Sequence, residues 1–266
     1  MQRIFLGIPV LNRFDLLDQA IASLDYSNVE LFIVNNNTVN AADLQHFQQL
    51  QAKYGFDSFS PRFNLGVAAS WNRIITTAWS RGYEFVYIGS NDTMLAPGSL
   101  RTLVEMEKRE PECLWLLLDF NFWCLRLSAV PKIGLVDENF MPAYFEDNDF
   151  YRRVQLAGLD CVHLRSTPYE KNGRVIPAAS ATHLGSQTIA SDAEYAAHNN
   201  NTFHNWNYNH YAMKWGGGPG SEQFVTPYND PARTVAWWPD PAGTVAVRDW
   251  DNGKRARLTA GPETPQ

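Results

Sequence analysis

The chain has 266 residues, 45% of them hydrophobic and 19% charged, a globular composition long enough for one large domain or a domain with an appendage. Its formal net charge of -6 argues against a dedicated nucleic-acid binder. The longest uninterrupted apolar run, Cys113–Leu118, is too short to span a membrane. Cys113, Cys124 and Cys161 are an odd set without metal-ligand spacing, as expected of reduced thiols in a cytoplasmic protein.

The opening MQRIFLGIPVLNR is broken by Gly7, Pro9 and Asn12, and reads as a strand over Arg3–Val10 rather than a signal peptide. Leu16, Leu17, Ala20, Ile21 and Leu24 form a helical stripe within Phe14–Leu24. Val29–Val34 is a continuous apolar strand of the doubly buried kind. Ala41–Lys53 predicts a helix packing through Leu44, Phe47 and Leu50. A short strand at Phe56–Ser60 follows, then a helix over Val67–Trp79 with Val67, Trp71, Ile74 and Ala78 on one face. The next stretch, YEFVYIGSNDTMLAPGSL, is an apolar strand running into Gly89-Ser90-Asn91-Asp92, then a turn with Pro97 and Gly98. This alternation predicts an α/β fold with a mainly parallel, doubly wound sheet.

Each strand exit carries polar or turn-forming residues: Pro9 and Asn12, Asn35–Thr38, Asn64 and Gly66, then Ser90–Asp92. One such exit is ordinary turn chemistry. Four along one sheet edge point to a nucleotide crevice, where open α/β sheets bind ligands. A carboxylate at the exit of a buried strand is costly unless something binds it. Asp92 is therefore expected to hold a metal ion bridging a nucleotide diphosphate.

Beyond residue 100 the sequence predicts a helix over Ser99–Arg109, strands at Leu114–Leu118 and Phe122–Leu127, and the segment GLVDENFMPAYFEDNDFYRRVQLAG. Its helix is expected to begin near Glu146–Asn148 and end at Gly158, with Phe150, Val154 and Ala157 inward. Capping and the helix dipole account for one carboxylate at that N-terminus and poorly for the cluster of Asp137, Glu138, Glu146, Asp147 and Asp149. Cys161–Leu164 is a further strand and Arg165–Val175 a polar loop. Ser191–Trp215 has helical spacing at Phe203, Trp206, His210 and Lys214, and stops at Gly216-Gly217-Gly218-Pro219. Trp237-Trp238, a turn at Pro239–Gly243 and Thr244–Val247 suggest a small hairpin, and the residues from about Lys254 are expected to be disordered.

The runs LGIPVLNR, IVNNNT, NLGVAASWN, SNDTMLAPGSL, VDENFMPAYFEDNDFYRRVQLAG and THLGS together resemble the GT-A glycosyltransferases of the inverting family 2 type, over roughly residues 3–190. The segment YAMKWGG is similar to a C-terminal feature of soluble members encoded by tailed phages. The resemblance implies a GT-A domain over 1–190 and a helical and hairpin extension over 191–266 packed on it. It implies that Pro9 and Asn12 lie along the nucleoside and that Asn35 stands where a uracil-reading Asp is usual. Asn64, Gly66, Asn72 and Asn91 would border the nucleotide sugar. Asp92 matches the last acid of the DxD motif, with Mn2+ or Mg2+ as the metal, and His183 matches a downstream His that closes over metal or diphosphate. Asp147 matches the usual catalytic base, and Glu146 would contact the acceptor or support that base.

The chemistry is consistent with these roles. The leaving diphosphate needs a divalent cation with oxygen ligands, and the attacking hydroxyl must lose its proton to a carboxylate. One base opposite one leaving group gives inversion. Ser90 stands where the first DxD acid would be, which weakens the metal site, and Asn35 can accept or donate, which loosens base selectivity.

The leading expectation is therefore transfer from a UDP-sugar to a hydroxyl on a glycan or protein. A second acceptor is DNA carrying 5-hydroxymethylpyrimidines, supported by Arg165, Lys171, Arg174, Arg248, Lys254, Arg255, Arg257, Trp206 and Trp237. A different class is a sugar- or nucleotide-binding module without chemistry, suggested by Ser90 and Asn35. A sugar nucleotidyltransferase would need a Gly-rich basic loop after the first strand, and VLNRFD is not one.

Overall fold

The computed structural model describes residues 2–37, 41–107 and 112–239, and the backbone of 245–249 and 254–258. Strand β1 (Ile4–Val10) is apolar on both faces because both are covered. Ile4, Leu6, Ile8 and Val10 point into one layer, and Phe5 into the other. The first layer includes α1 (Phe14–Ala22), packed through Phe14, Leu17 and Ile21. After β2 (Val29–Asn35), α2 (Ala41–Tyr54) joins that layer through Phe47 and Leu50, whereas Leu44, expected to pack, is 39% exposed.

Beyond the short β3 (Asp57–Phe59), α3 (Gly66–Ser80) covers the opposite face with Ala68, Trp71, Ile74, Ile75 and Ala78. It lies so close that a Cβ on Gly7 would stand 2.3 Å from Ile74 Cγ2, which explains a glycine within a buried strand.

Strand β4 (Phe85–Gly89) leads to a short strand absent from the sequence reading, β5 (Thr93–Leu95), and then α4 (Ser99–Glu107). β6 (Leu114–Leu117) and β7 (Phe122–Arg126) form a hairpin whose connection holds Leu118 and Asp119 in the left-handed region, at φ 53° each. One turn of helix, α5 (Val130–Ile133), precedes α6 (Glu146–Leu156) and β8 (Cys161–Leu164). The main sheet runs β3-β2-β1-β4-β7-β6-β8, all parallel except β7, which is antiparallel to both neighbours. It is a mixed α/β fold with a mostly parallel central sheet.

The polar stretch after β8 is not a loop. It forms a hairpin of β9 (Tyr169–Lys171) and β10 (Arg174–Ile176), with Ile176 buried. β11 (Ala181–His183) then pairs antiparallel with β5. The chain continues through α7 (Gln187–Ala190), α8 (Ala193–Thr202), a π-helical turn at Phe203–Asn207 and α9 (Tyr208–Trp215), which ends at Gly216 with φ 75°. Tyr211 and Trp215 pack with Phe140 and Phe145 in a third apolar cluster.

A final hairpin pairs β12 (Val245–Asp249) with β13 (Lys254–Leu258), so the residues expected to be disordered from Lys254 begin with a strand. The turn expected at Pro239–Gly243, Thr38, and the end of the Ser99–Arg109 helix fall outside the described residues. Among the described residues no helix is long and apolar enough to cross a membrane.

Candidate active site

A cleft of about 420 Å³ opens at the carboxyl ends of β1, β2 and β4. Pro9, Val10 and Leu11 form its floor at the β1 exit. Asn12 donates from Nδ2 to Thr188 O (3.0 Å) and accepts at its own carbonyl from Asn91 Nδ2 (3.0 Å), so the β1 and β4 exits are tied together. Asn91 lines the cleft, and Asn12 supports its wall from behind.

At the β2 exit the residue that lines the cleft is Asn36 rather than Asn35. Asn35 is fully buried, does not line the cleft, and accepts at Oδ1 from the Asn37 backbone N–H (3.1 Å), an Asx turn. Its neighbour Asn36 faces the cleft instead, oriented by Ser70 Oγ (2.9 Å) and the Leu65 N–H (3.1 Å). A one-residue shift at a strand end exchanges the inward and outward faces, and the run of three asparagines conceals it.

The α3 N-terminus supplies Asn64, Gly66, Val67 and Trp71. Asn64 Oδ1 accepts from Gly66 N (2.8 Å), and its side chain also bonds the Tyr195 hydroxyl. Gly66 has φ +74°, and a Cβ there would stand 2.6 Å from both Pro142 O and Met141 Sδ. Asn72, expected to border the nucleotide, does not line the cleft. Its amide is consumed by Val136 N and O and by Glu138 Oε1, all at 2.8 Å, so it ties α3 to the segment before α6.

At the β4 exit, Ser90, Asn91 and Asp92 all line the cleft. The β5–β11 register pairs Thr93 with His183 and thereby sets the imidazole beside Asp92. His183 Nε2 is 3.2 Å from Asp92 Oδ1, while Oδ2 accepts from Gln187 N (3.2 Å) and the Asp92 carbonyl from Leu184 N (3.1 Å). The segment after His183 brings Ser186, Thr188 and Ile189 over the cleft.

Further lining comes from the β6–β7 connection and the start of α6: Asp119, Phe120, Asn121, Ala143, Tyr144, Glu146 and Asp147. Tyr144 and Phe145 have φ of 78° and 73°, an uncommon backbone for two successive bulky residues. Asn207 holds it in place by donating to Ala143 O (2.7 Å) and Tyr144 O (3.3 Å).

Glu146 is buried, with Oε2 unpartnered, and burial first and the charge of Asp147 second push its carboxyl well above the usual range. Asp147 is half-buried. Desolvation raises its carboxyl too, offset in part by backbone N–H groups at the helix start, with Asp119 adding to the rise. Trp71 and Phe120 stack beside them at 5.8 Å between ring centroids. The reading of sequence overlooked Asn36, the Asp119–Asn121 connection, Tyr144, Tyr195 and the Ser186–Ile189 strap, most of which lie on irregular backbone with no periodicity to mark them.

The cleft could hold a divalent cation at one end. An oxygen and an imidazole nitrogen donor converge there, chemistry suited to Mn2+ or Mg2+. Among the described residues no group of three His, Cys, Asp or Glu is placed to hold a metal ion.

No protein-family model matches the chain, and none of the curated proteins compared with it matches either. Solved structures do resemble it. A mannosyltransferase from Pyrobaculum calidifontis in complex with GDP-Man and Mn2+ superposes with TM-score 0.55 at 10% identity, covering 74% of this chain and 61% of that one. S. aureus TarS superposes with TM-score 0.52 at 13% identity, over 80% of this chain and 46% of that one. A shorter TarS chain in complex with UDP-GlcNAc gives 0.50 at 13% identity, over 61% and 56%. The chain thus spans about half to three fifths of the length of these proteins. The fold they share with it is that of the GT-A glycosyltransferases.

Proposed function

We propose that this protein is an inverting glycosyltransferase that moves a sugar from a UDP-sugar to a hydroxyl on a glycan or protein. One observation carries the reading: Asp92 and His183, 3.2 Å apart, line the same cleft as Glu146 and Asp147. Leaving-group stabilisation and proton removal thus have separate places around one cavity.

Asp92 and His183 would hold Mn2+ or Mg2+ together with the diphosphate oxygens, and a cation there neutralises the charge that develops on the leaving group. Asn36, Asn64, Gly66 and Asn91 are placed to border the donor. Asp147, half-exposed to the cleft, accepts the proton of the attacking hydroxyl on the side opposite the leaving group, and the displacement inverts the anomeric centre. Glu146, whose carboxyl burial pushes well above the usual range, would hydrogen-bond a hydroxyl of either sugar.

The acceptor reading rests on charge. Among the described residues the cleft is lined by Asp92, Asp119, Glu146 and Asp147 and by no Lys or Arg, which disfavours a polyanion such as DNA. Of the basic residues that favoured DNA, Lys171 is paired with Asp160 (2.6 Å) and Arg174 with buried Glu112, and Arg165 lies over the Tyr169 ring. The side chains of Arg248, Lys254, Arg255 and Arg257 fall outside the described residues. The binding-module reading has no comparable support, since it leaves the desolvated Glu146–Asp147 pair without a role.

The test is UDP release from UDP-sugars in the presence of Mn2+. Asp147→Asn is expected to lower turnover about 10²–10⁴-fold while UDP affinity is retained. An active variant removes Asp147 as base, and a wild-type protein that releases no UDP from any UDP-sugar removes the transfer reading.

A further inference from the structure

Behind the Glu146–Asp147 wall lies a buried charged cluster that the chemistry above does not use. The Lys214 ammonium, 2% exposed, sits 2.8 Å from Asp137 Oδ2 and 2.7 Å from Asp149 Oδ1. Trp215 Nε1 donates to the same Asp149 oxygen (2.9 Å), and Arg153 Nε reaches the other (2.8 Å). His210 Nε2 lies 3.2 Å from Asp137 Oδ2.

Neither carboxylate lines the cleft: Asp149 belongs to α6 and Asp137 to the segment before it. Asp149 is in the first turn of α6, two residues from Asp147, and its N–H bonds Phe145 O (2.9 Å). Asp137 lies between Val136 and Glu138, both held by Asn72 of α3, the helix that carries Gly66 and Trp71 into the cleft. Lys214 therefore joins the first turn of α6 to the segment that Asn72 ties to α3.

A buried ion network is a poor way to gain stability, because apolar side chains of equal volume serve as well without desolvation. Its directional bonds do fix geometry. Burial pushes the Lys214 ammonium towards neutrality, but Asp149 and Asp137 more than offset this, so it stays charged.

We propose that Lys214 is a positioning residue, which sets the α6 turn against α3 and so fixes Asp147 relative to the leaving group. The proposal rests on the reading of Asp147 as base.

The experiment compares the full chain with Lys214→Met, Lys214→Arg and Trp215→Phe, the last retaining the cation but removing one bond to Asp149. UDP affinity, kcat and KM for UDP release from a UDP-sugar with Mn2+, and amide hydrogen exchange are measured on folded protein. Lys214→Met is expected to keep UDP affinity and donor KM within about twofold and to lose about tenfold or more in kcat, with faster exchange over 143–149. Lys214→Arg should recover most of that kcat, and Trp215→Phe should show a smaller loss of the same kind. Unchanged kcat per folded molecule in both Lys214→Met and Trp215→Phe overturns the proposal. If Lys214→Met does not fold, Trp215→Phe decides alone. If the wild-type protein releases no UDP, the transfer reading falls, and the exchange comparison still decides whether Lys214 holds 143–149: unchanged protection there refutes it.

Discussion

His183 Nε2 stands 3.2 Å from Asp92 Oδ1, although the two residues come from distant parts of the chain. The β5–β11 pairing makes the contact by placing His183 opposite Thr93. If the pair holds a metal as proposed, diphosphate oxygens would add to its two donors. Mn2+ affinity measured by calorimetry should accordingly be low for the protein alone and rise with UDP present. Asp92→Asn and His183→Ala should each lower the UDP-dependent affinity about 10–100-fold. An unchanged affinity in either variant removes that residue from the metal site.

Glu146 makes stability depend on pH in a definite sense. Its folded-state pKa lies above its unfolded value because the carboxyl is buried. The folded state then binds more protons than the unfolded one, so stability is greatest below the unfolded pKa and falls as pH rises through the interval between the two. Glu146→Gln should raise Tm relative to wild type at about pH 8 and lose that advantage at about pH 4. An equal Tm difference at both pH values would show that the carboxyl is not desolvated.

Gly66 sits at a point where no other residue fits. Its left-handed backbone alone costs a residue with a Cβ about 1–2 kcal/mol, and the approach of Pro142 and Met141 adds to this. Gly66→Ala should lower the denaturant midpoint by at least that equivalent and weaken UDP binding, whereas Gly82→Ala, also at positive φ but with open space around it, should cost only the backbone component.

Duplex DNA should bind weakly, with little change in affinity between about 50 and 200 mM salt, because the cleft carries carboxylates and no Lys or Arg. A steep loss of affinity over that range would restore DNA as a candidate acceptor.

The alternation of apolar strands with amphipathic helices was legible because burial on both faces demands continuous apolar runs, as in β1 and β4, and a covering helix demands a 3.6-residue stripe, as in α3. The Ser90–Asp92 exit and the Glu146–Asp147 helix start were legible for the complementary reason: carboxylates at the ends of buried elements stand out against apolar surroundings. The bonds of Asn72 to Val136 and Glu138 are not legible in sequence, because a polar residue on a buried helix face has the same appearance whether it serves a ligand or a neighbouring backbone. Tertiary structure alone decided which of the consecutive Asn35 and Asn36 faces the cleft and that Lys214 underlies the α6 turn, whereas the meeting of His183 with Asp92 was expected from the resemblance. Those facts depend on strand register and on contacts between segments far apart in the chain, which local patterns of apolar and polar residues do not encode.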